Sequence, residues 1–405
     1  MKIDILQKVE GEVYLRYRFK HKVIEHADIE FVHYRGIEEI LKGRALFDAL
    51  AINPRVCGIC GHSHLIATAR AIEDIVDFEI SKKAFLIREI TLSCELIQNH
   101  IKWFYLVILP LLRRMGFKKY DFFQALSCAN TINKIIAVFG GQYPHTSYAV
   151  AGGVVCDPTA MDIVKAEHFL NEARRFYHSF VLPPIENFRD FVDKRGVLRE
   201  VFLFLKRKRL QNIGRGHDRF LYLEKSKKII GVREVKADSK YIREIPNDRG
   251  YAKNVKYKDK FYEVGPIART MDKKFIKDLH RRYKDSVFTR IAARVYEIGL
   301  LFEKIEKNLK NIDLQEESYR KFDRKISGEG EGIVEAPRGS LIHRIKAKDG
   351  KIKEYEIITP TQFNLSNGSI EDPSSVQKAI KGLRDKNLAD LVFRSFDICS
   401  VCTTH

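Results

Sequence analysis

At 405 residues, with 45% hydrophobic and 31% charged side chains, the chain can bury a large core and is not of the disordered class. Its formal net charge of +19 invites a nucleic-acid partner, but the basic residues are dispersed. The densest run, LKRKRLQNIGRGHDR, lacks the interleaved aromatics that stack on bases, so no nucleic-acid partner is expected. Seven cysteines, an odd number in a long chain, argue against a disulfide framework.

The opening stretch, MKIDILQKVEGEVYLRY, scatters charges where a signal peptide would be apolar, so a cytoplasmic protein is the expectation. Residues 1–35 alternate apolar and polar side chains and predict an amino-terminal sheet. From about Glu38 the period lengthens. ILKGRALFDAL predicts a short helix, residues 64–79 and 83–115 long amphipathic helices, and 121–139 and 158–180 two more. Within the second, WFYLVILPLL is too short to span a bilayer, and Pro110 interrupts it. A Gly-rich loop, GGQYPHTSYAVAGGVVCDP, precedes the last of these helices. Residues 195–262 are rich in Lys, Val, Tyr and Asp, with turn signals such as PNDRG, and predict a β-rich excursion. Helices return at 271–310 and 374–390, and GEGEGI through TPTQFN predicts short strands and ordered loops. The expected fold class is α+β, mainly helical: a central bundle of long helices with small peripheral sheets. One domain, 1–405, would hold a helical core at 36–194 and a carboxy-terminal part at 263–405.

Chemistry concentrates in two places. NPRVCGICGHSH places Cys57 and Cys60 three apart, and DICSVCTTH repeats that spacing with Cys399 and Cys402. A redox dithiol wants a βαβ neighbourhood, which is absent. A covalent haem needs His directly after the second Cys, where Gly61 and Thr403 stand. Four thiolates could hold structural zinc or an iron–sulfur cubane, although the pairs are far apart and no run of three close cysteines exists. Cys94, Cys128 and Cys156 are scattered and read as buried small hydrophobes.

Taken together, RVCGICGHSH and DICSVCTTH resemble the two cysteine motifs of the nickel–iron hydrogenase large (catalytic) subunit. Arg55, Cys57, Gly58, Cys60 and His64 match the first motif; Asp397, Cys399, Cys402 and His405 match the second. KVEGEVYLRY, YRGIEEILKGR, GGQYPHTSYAVAGGV, VGPIAR, EAPRGSLIH and TPTQFN also have counterparts in that family's order, and only about residues 195–260 look unfamiliar. The chain stops at His405, as does the family's mature form after its tail is clipped.

The resemblance implies a site. Cys57 and Cys399 would bind nickel terminally, and Cys60 and Cys402 would bridge nickel to an iron carrying one carbon monoxide and two cyanides. Soft thiolates suit both metals. Arg338, Pro360 and Thr361 would line the cyanide pocket, with the Thr361 hydroxyl as a donor and Pro337, Arg55, His64 and Asn99 also nearby. Arg338 would stand over the open coordination site, held by Asp397, acting through its charge more than as a base because arginine resists deprotonation. Glu10 would relay the proton outward. Glu38, the Ile357 carbonyl and His405 would hold magnesium or another divalent cation. Asn99 stands where many members have an aspartate, so Arg338 should be held differently here, and His62 should pack rather than bind metal. GEGEGI is no dinucleotide loop, and no cluster-binding cysteine run exists, so the electrons must leave through another polypeptide. By resemblance that is an iron–sulfur small subunit, an obligate partner, alongside further electron-transfer subunits or a homo-oligomer of heterodimers, and transient maturation protease and nickel chaperones. Membrane association would come through a partner subunit. A hydrogen-sensing variant, a nickel-free relative in complex I and a zinc-stabilised nucleic-acid binder are the competing readings.

Overall fold

The computed structural model describes residues 2–9, 11–118, 121–223, 228–230 and 235–405. The alternation at the amino terminus folds as an antiparallel sheet of β1 (Lys2–Val9), β2 (Gly11–Lys20) and β3 (Val23–Glu30), in that order. In β2, Val13, Leu15 and Tyr17 are buried while Glu12 and Arg18 are exposed, and this period of two fixes the register Leu15↔Ile29 and Tyr17↔Ala27.

Two short helices, Ile37–Leu41 and Asp48–Ile52, occupy the segment expected to form one. The long helices follow: α1 (Gly61–Asp74), α2 (Lys82–Lys102), α3 (Phe122–Gly140) and α4 (Ala160–Phe176). Their starts carry side-chain caps, Ser81 for α2, Asp121 for α3 and a Thr159–Asp162 capping box for α4. The helix expected to run through 115 changes at Trp103–Ile108 into a wider, i→i+5 turn, and resumes at Leu109–Arg114. Pro110 is the cause: its ring clashes with the carbonyl one turn earlier, and the wide turn absorbs that clash.

Residues 195–262, expected to be β-rich, open instead with a helix, α5 (Val197–Arg207). Leu198, Val201, Phe202 and Leu205 are buried at helical spacing, a pattern hidden when composition is averaged over the whole segment. Strands begin only at Phe220 and include the hairpin β4 (Ile242–Ile245) and β5 (Asn254–Tyr257). Next comes α6 (Val287–Lys310), which packs with α3 and α1 around α2. That leaves α2 buried on every side, polar residues included. Helix α3 is by length and composition apolar enough to cross a membrane, and here it lies between α2 and α4.

The section from GEGEGI forms longer strands than expected: β6 (Gly328–Ala336), β7 (Gly339–Lys348) and β8 (Lys351–Ile358), paired β6-β7-β8. Helix α1 lies across β6, and the alternate glycines explain how. A Cβ on Gly330 would lie 2.3 Å from the Ala71 carbonyl oxygen, and one on Gly332 only 1.9 Å from that of Ala67. The glycines therefore permit contact between a strand and a helix backbone. Finally α7 (Lys386–Ser395) leads into the second cysteine motif.

Candidate metal centre

Each cysteine pair sits where a turn enters a helix. Asn53–Arg55 form one tight turn, and Cys60 is the residue at which α1 begins. At the other end Asp397 adopts a left-handed φ of 61°, which aspartate tolerates, and the chain turns so that Cys399 precedes the short helix Ser400–Thr403. These turns bring residues 342 positions apart together: Cys57 Sγ lies 3.7 Å from Cys399 Sγ, and Cys60 Sγ 3.7 Å from Cys402 Sγ. All four sulfurs lie within 4.8 Å of one another and are buried. They are the one group of three or more His, Cys, Asp or Glu side chains among the described residues that converges in this way.

Donors surround the sulfurs. Backbone N–H groups of Ile59 and Cys60 donate to Cys57 Sγ at 3.4 and 3.1 Å. Burial disfavours a thiolate at Cys399, but hydrogen bonds from Cys402, Cys57 and Cys60 and the charge of Arg338 outweigh it and hold this thiol well below the usual range. Arg338 is itself buried. Burial works against its charge, yet Asp397 and the thiolates of Cys399, Cys60 and Cys57 keep it well above the usual arginine range. Its Nη2 lies 3.3 Å from Asp397 Oδ1, while the buried Nε and Nη1 have no hydrogen-bond partner among the described residues. Two orphaned donors beside four thiols call for acceptors on a group bound there, so the residues fit a metal that carries such ligands. Thr361 Oγ1 accepts from Cys399 N at 3.3 Å, which leaves its own hydroxyl hydrogen to donate, and Pro360 opens the turn that carries it.

Behind Asp397 runs a buried network that the sequence did not disclose. Arg294 Nη1 on α6 reaches Asp397 Oδ2 (3.0 Å), the Pro337 carbonyl oxygen (3.0 Å) and His100 Nδ1 (3.2 Å). His100 Nε2 meets Glu297 Oε2 at 2.8 Å; Arg269 grips Glu297 through Nε and Nη2 at 2.6 and 2.7 Å and Glu335 through Nη1 at 2.8 Å. Three blocks quoted from the sequence, VGPIAR, EAPRG and DIC, are thus joined by one chain of ion pairs. Only their proximity in space signals it.

Other expected residues are placed as follows. His64 Nδ1 lies 3.0 Å from His343 Nε2, whose Nδ1 lies 2.7 Å from the Tyr355 hydroxyl; burial lowers His64 to about 4. His62 packs, as expected: it stacks on Tyr148 at 5.5 Å and contacts Thr91 Oγ1 at 2.9 Å. Asn99 Nδ2 turns to the carbonyl oxygens of Ile59 (3.2 Å) and Glu95 (2.9 Å), which ties α2 to the first cysteine loop. Arg55, expected beside the centre, is instead exposed and donates to the Ala51 carbonyl; Arg35 clasps the loop through the Val56 carbonyl at 2.7 Å. Glu95, not foreseen, accepts from His62 N and Ser63 N at 2.9 and 3.0 Å and so caps α1 from α2, with burial raising it to about 8. Glu10 lies outside the described residues.

A second cluster forms at the carboxy terminus. His405 Nε2 is 3.3 Å from Glu38 Oε1, its Nδ1 meets the Cys402 carbonyl at 2.9 Å, and Ile357 N donates to Glu38 Oε1 at 2.7 Å. Burial would raise Glu38, but the hydrogen bond and charge of His405 hold it below the usual range. The segment that looked unfamiliar contributes here: Lys253 Nζ lies 3.7 Å from Glu38 Oε2 and pairs with Glu244, which accepts from Gln362 Nε2 at 2.6 Å.

The sequence profile described as nickel-dependent hydrogenase matches residues 35–109, 115–230 and 211–405. The large subunit of the periplasmic [NiFeSe] hydrogenase of Desulfomicrobium baculatum is 24% identical over 490 aligned positions, covering 100% of this chain and 94% of that protein. Sulfhydrogenase 1 subunit alpha of Pyrococcus furiosus is 26% identical over 431, covering 100% and 97%. Among solved structures, the reduced Ni-Fe-Se hydrogenase of D. vulgaris Hildenborough superposes with a TM-score of 0.88 at 22% identity, over 100% of this chain and 99% of that one. With the buried thiol tetrad inside the matched span, the chain belongs to the nickel-dependent hydrogenase family, oxidoreductases acting on hydrogen, as a large (catalytic) subunit.

Proposed function

We propose that the chain cleaves H2 reversibly and heterolytically, to protons and electrons, at a nickel–iron centre held by Cys57, Cys60, Cys399 and Cys402. The observation that carries this is the convergence of four buried sulfurs beside a guanidinium with two donors unpartnered among the described residues. A nickel–iron group held by these four cysteines would supply a Lewis-acidic, redox-active site for H2 and its electrons. The chain's own residues do the rest. Arg338 stays charged and presents Nε and Nη1, donors suited to the cyanide nitrogens expected on iron; it orients and polarises, and takes no proton. With the metals bound, a sulfur of the tetrad would be the base that receives the proton, and Glu10 is the expected exit. Glu38 and His405, 3.3 Å apart, with Ile357 beside them, suit a magnesium or similar ion as a support for the carboxy-terminal loop.

As a large subunit the chain pairs with a small subunit, which we take to carry the iron–sulfur clusters that accept the electrons, in the cytoplasm. The intact, convergent tetrad speaks against the nickel-free relative, and the family match speaks against the zinc-stabilised binder. Metal analysis of the matured heterodimer should find one nickel and one iron per large subunit, with H2-dependent reduction of a viologen dye. Zinc without nickel would refute the assignment.

A further inference from the structure

Asp397 is gripped from two sides. Arg338 approaches Oδ1 and Arg294 approaches Oδ2, so neither carboxylate oxygen is free to swing. Arg294 also fixes the backbone that carries Arg338, because the same Nη1 donates to the carbonyl of Pro337, the preceding residue. Its guanidinium lies over the Trp103 ring at 4.8 Å, and it is 2% exposed, so its position is set by packing as well as by charge.

The far side is equally constrained. Arginine can only donate and a carboxylate can only accept, so His100 must be the neutral tautomer with hydrogen on Nε2: Nδ1 accepts from Arg294 and Nε2 donates to Glu297. Glu297 is held in turn by both arms of Arg269. Asn99 does not reach this network: its amide turns towards the carbonyls of Ile59 and Glu95.

We infer that Arg294 is a positioning residue for the reaction: from α6 it locks Asp397, and through Asp397 and Pro337 it aims Arg338 towards the four cysteines. This rests on the hydrogenase reading above, and the experiment separates the two.

In the heterodimer matured with its metals, Arg294→Gln should keep nickel and iron at wild-type stoichiometry and lose at least tenfold in kcat, with KM for H2 within twofold. Arg294→Lys, which restores the charge but not the fork, should regain part of that loss. A crystal structure of Arg294→Gln should show the Asp397 carboxylate rotated and Arg338 displaced. Arg88→Gln, which breaks the comparably buried pair with Glu73 at the far end of α1, should lower thermal stability and leave kcat per nickel unchanged. If Arg294→Gln does not accumulate, the kcat and structure of Arg294→Lys decide the matter. Unchanged kcat per nickel, or Asp397 and Arg338 unmoved, overturns the inference. A wild-type protein without nickel or H2 turnover overturns the functional reading, and the crystal structures still judge the positioning role.

Discussion

Gly332→Ala tests how closely helix α1 must lie on strand β6. The added Cβ would stand 1.9 Å from the Ala67 carbonyl oxygen and 2.6 Å from Ala71 N. Comfortable contact begins near ~3.5 Å, so helix and strand must part by roughly 1.5 Å, and both obstacles are backbone that cannot rotate away. Overpacking of this kind costs about 1–3 kcal/mol, and the rigid neighbours place it at about 3. Unfolding entropy of about 2.1 cal/mol/K per residue over 405 residues gives about 0.85 kcal/mol/K, so Tm should fall by about 3.5 °C. Scanning calorimetry measures this directly. Ala67 lies one turn after His64, so the same displacement should stretch the 3.0 Å contact between His64 and His343. Gly299→Ala is the contrast: its Cβ would meet the Tyr177 ring at 3.4 Å, an ordinary contact inside α6. There the gain in helix propensity of about 1 kcal/mol should raise Tm by about 1 °C. If Gly332→Ala melts within 1 °C of wild type, or Gly299→Ala falls as far, the close-approach argument is wrong.

Burial lowers His62 and His100 to about 3 and His64 to about 4, so below pH 6.5 the unfolded chain binds protons that the folded chain refuses. Stability should be complete above pH 6.5 and fall as pH drops towards 4, by up to about 1.4 kcal/mol per unit for each imidazole; a Tm flat from pH 7 to 4 would contradict this. Arg88 Nη1 and Nη2 grip Glu73 at 2.9 and 2.7 Å, and Nη2 also bonds the Val150 and Gly153 carbonyls. Arg88→Met should cost about 3–5 kcal/mol in calorimetric stability by leaving a buried carboxylate unpaired. Cys399→Ser should abolish nickel binding in metal analysis, whereas Cys94→Ser, buried away from the tetrad, should retain it.

The cysteine tetrad was legible because short spacing writes metal-ligand geometry into the chain twice. What spacing alone could not show is that two pairs 342 residues apart share one site; the motif resemblance supplied that, and the sulfur distances bear it out. Arg294, His100 and Glu297 were not legible, since a polar residue inside a helical period looks the same whether it faces solvent or a buried carboxylate. Helix α5 was obscured by a basic, valine-rich neighbourhood, though its Leu198, Val201, Phe202 and Leu205 periodicity was there to be read. Glu244 and Lys253 come from a stretch that looks unfamiliar by motif although the family profile spans it, and folding brings them to Glu38.

The 342-residue separation between paired sulfurs has a further consequence, for the order of events. Ribosomal synthesis delivers Cys399 and Cys402 only after the long stretch that follows Cys57 and Cys60, so capture of a metal by all four sulfurs waits until that whole stretch has been made. Once made, such a cross-link removes conformational freedom from the unfolded chain much as a long-loop disulfide would, about 6 kcal/mol for a 342-residue loop. Loading the metals would thus act as a latch that favours the closed fold over the open chain.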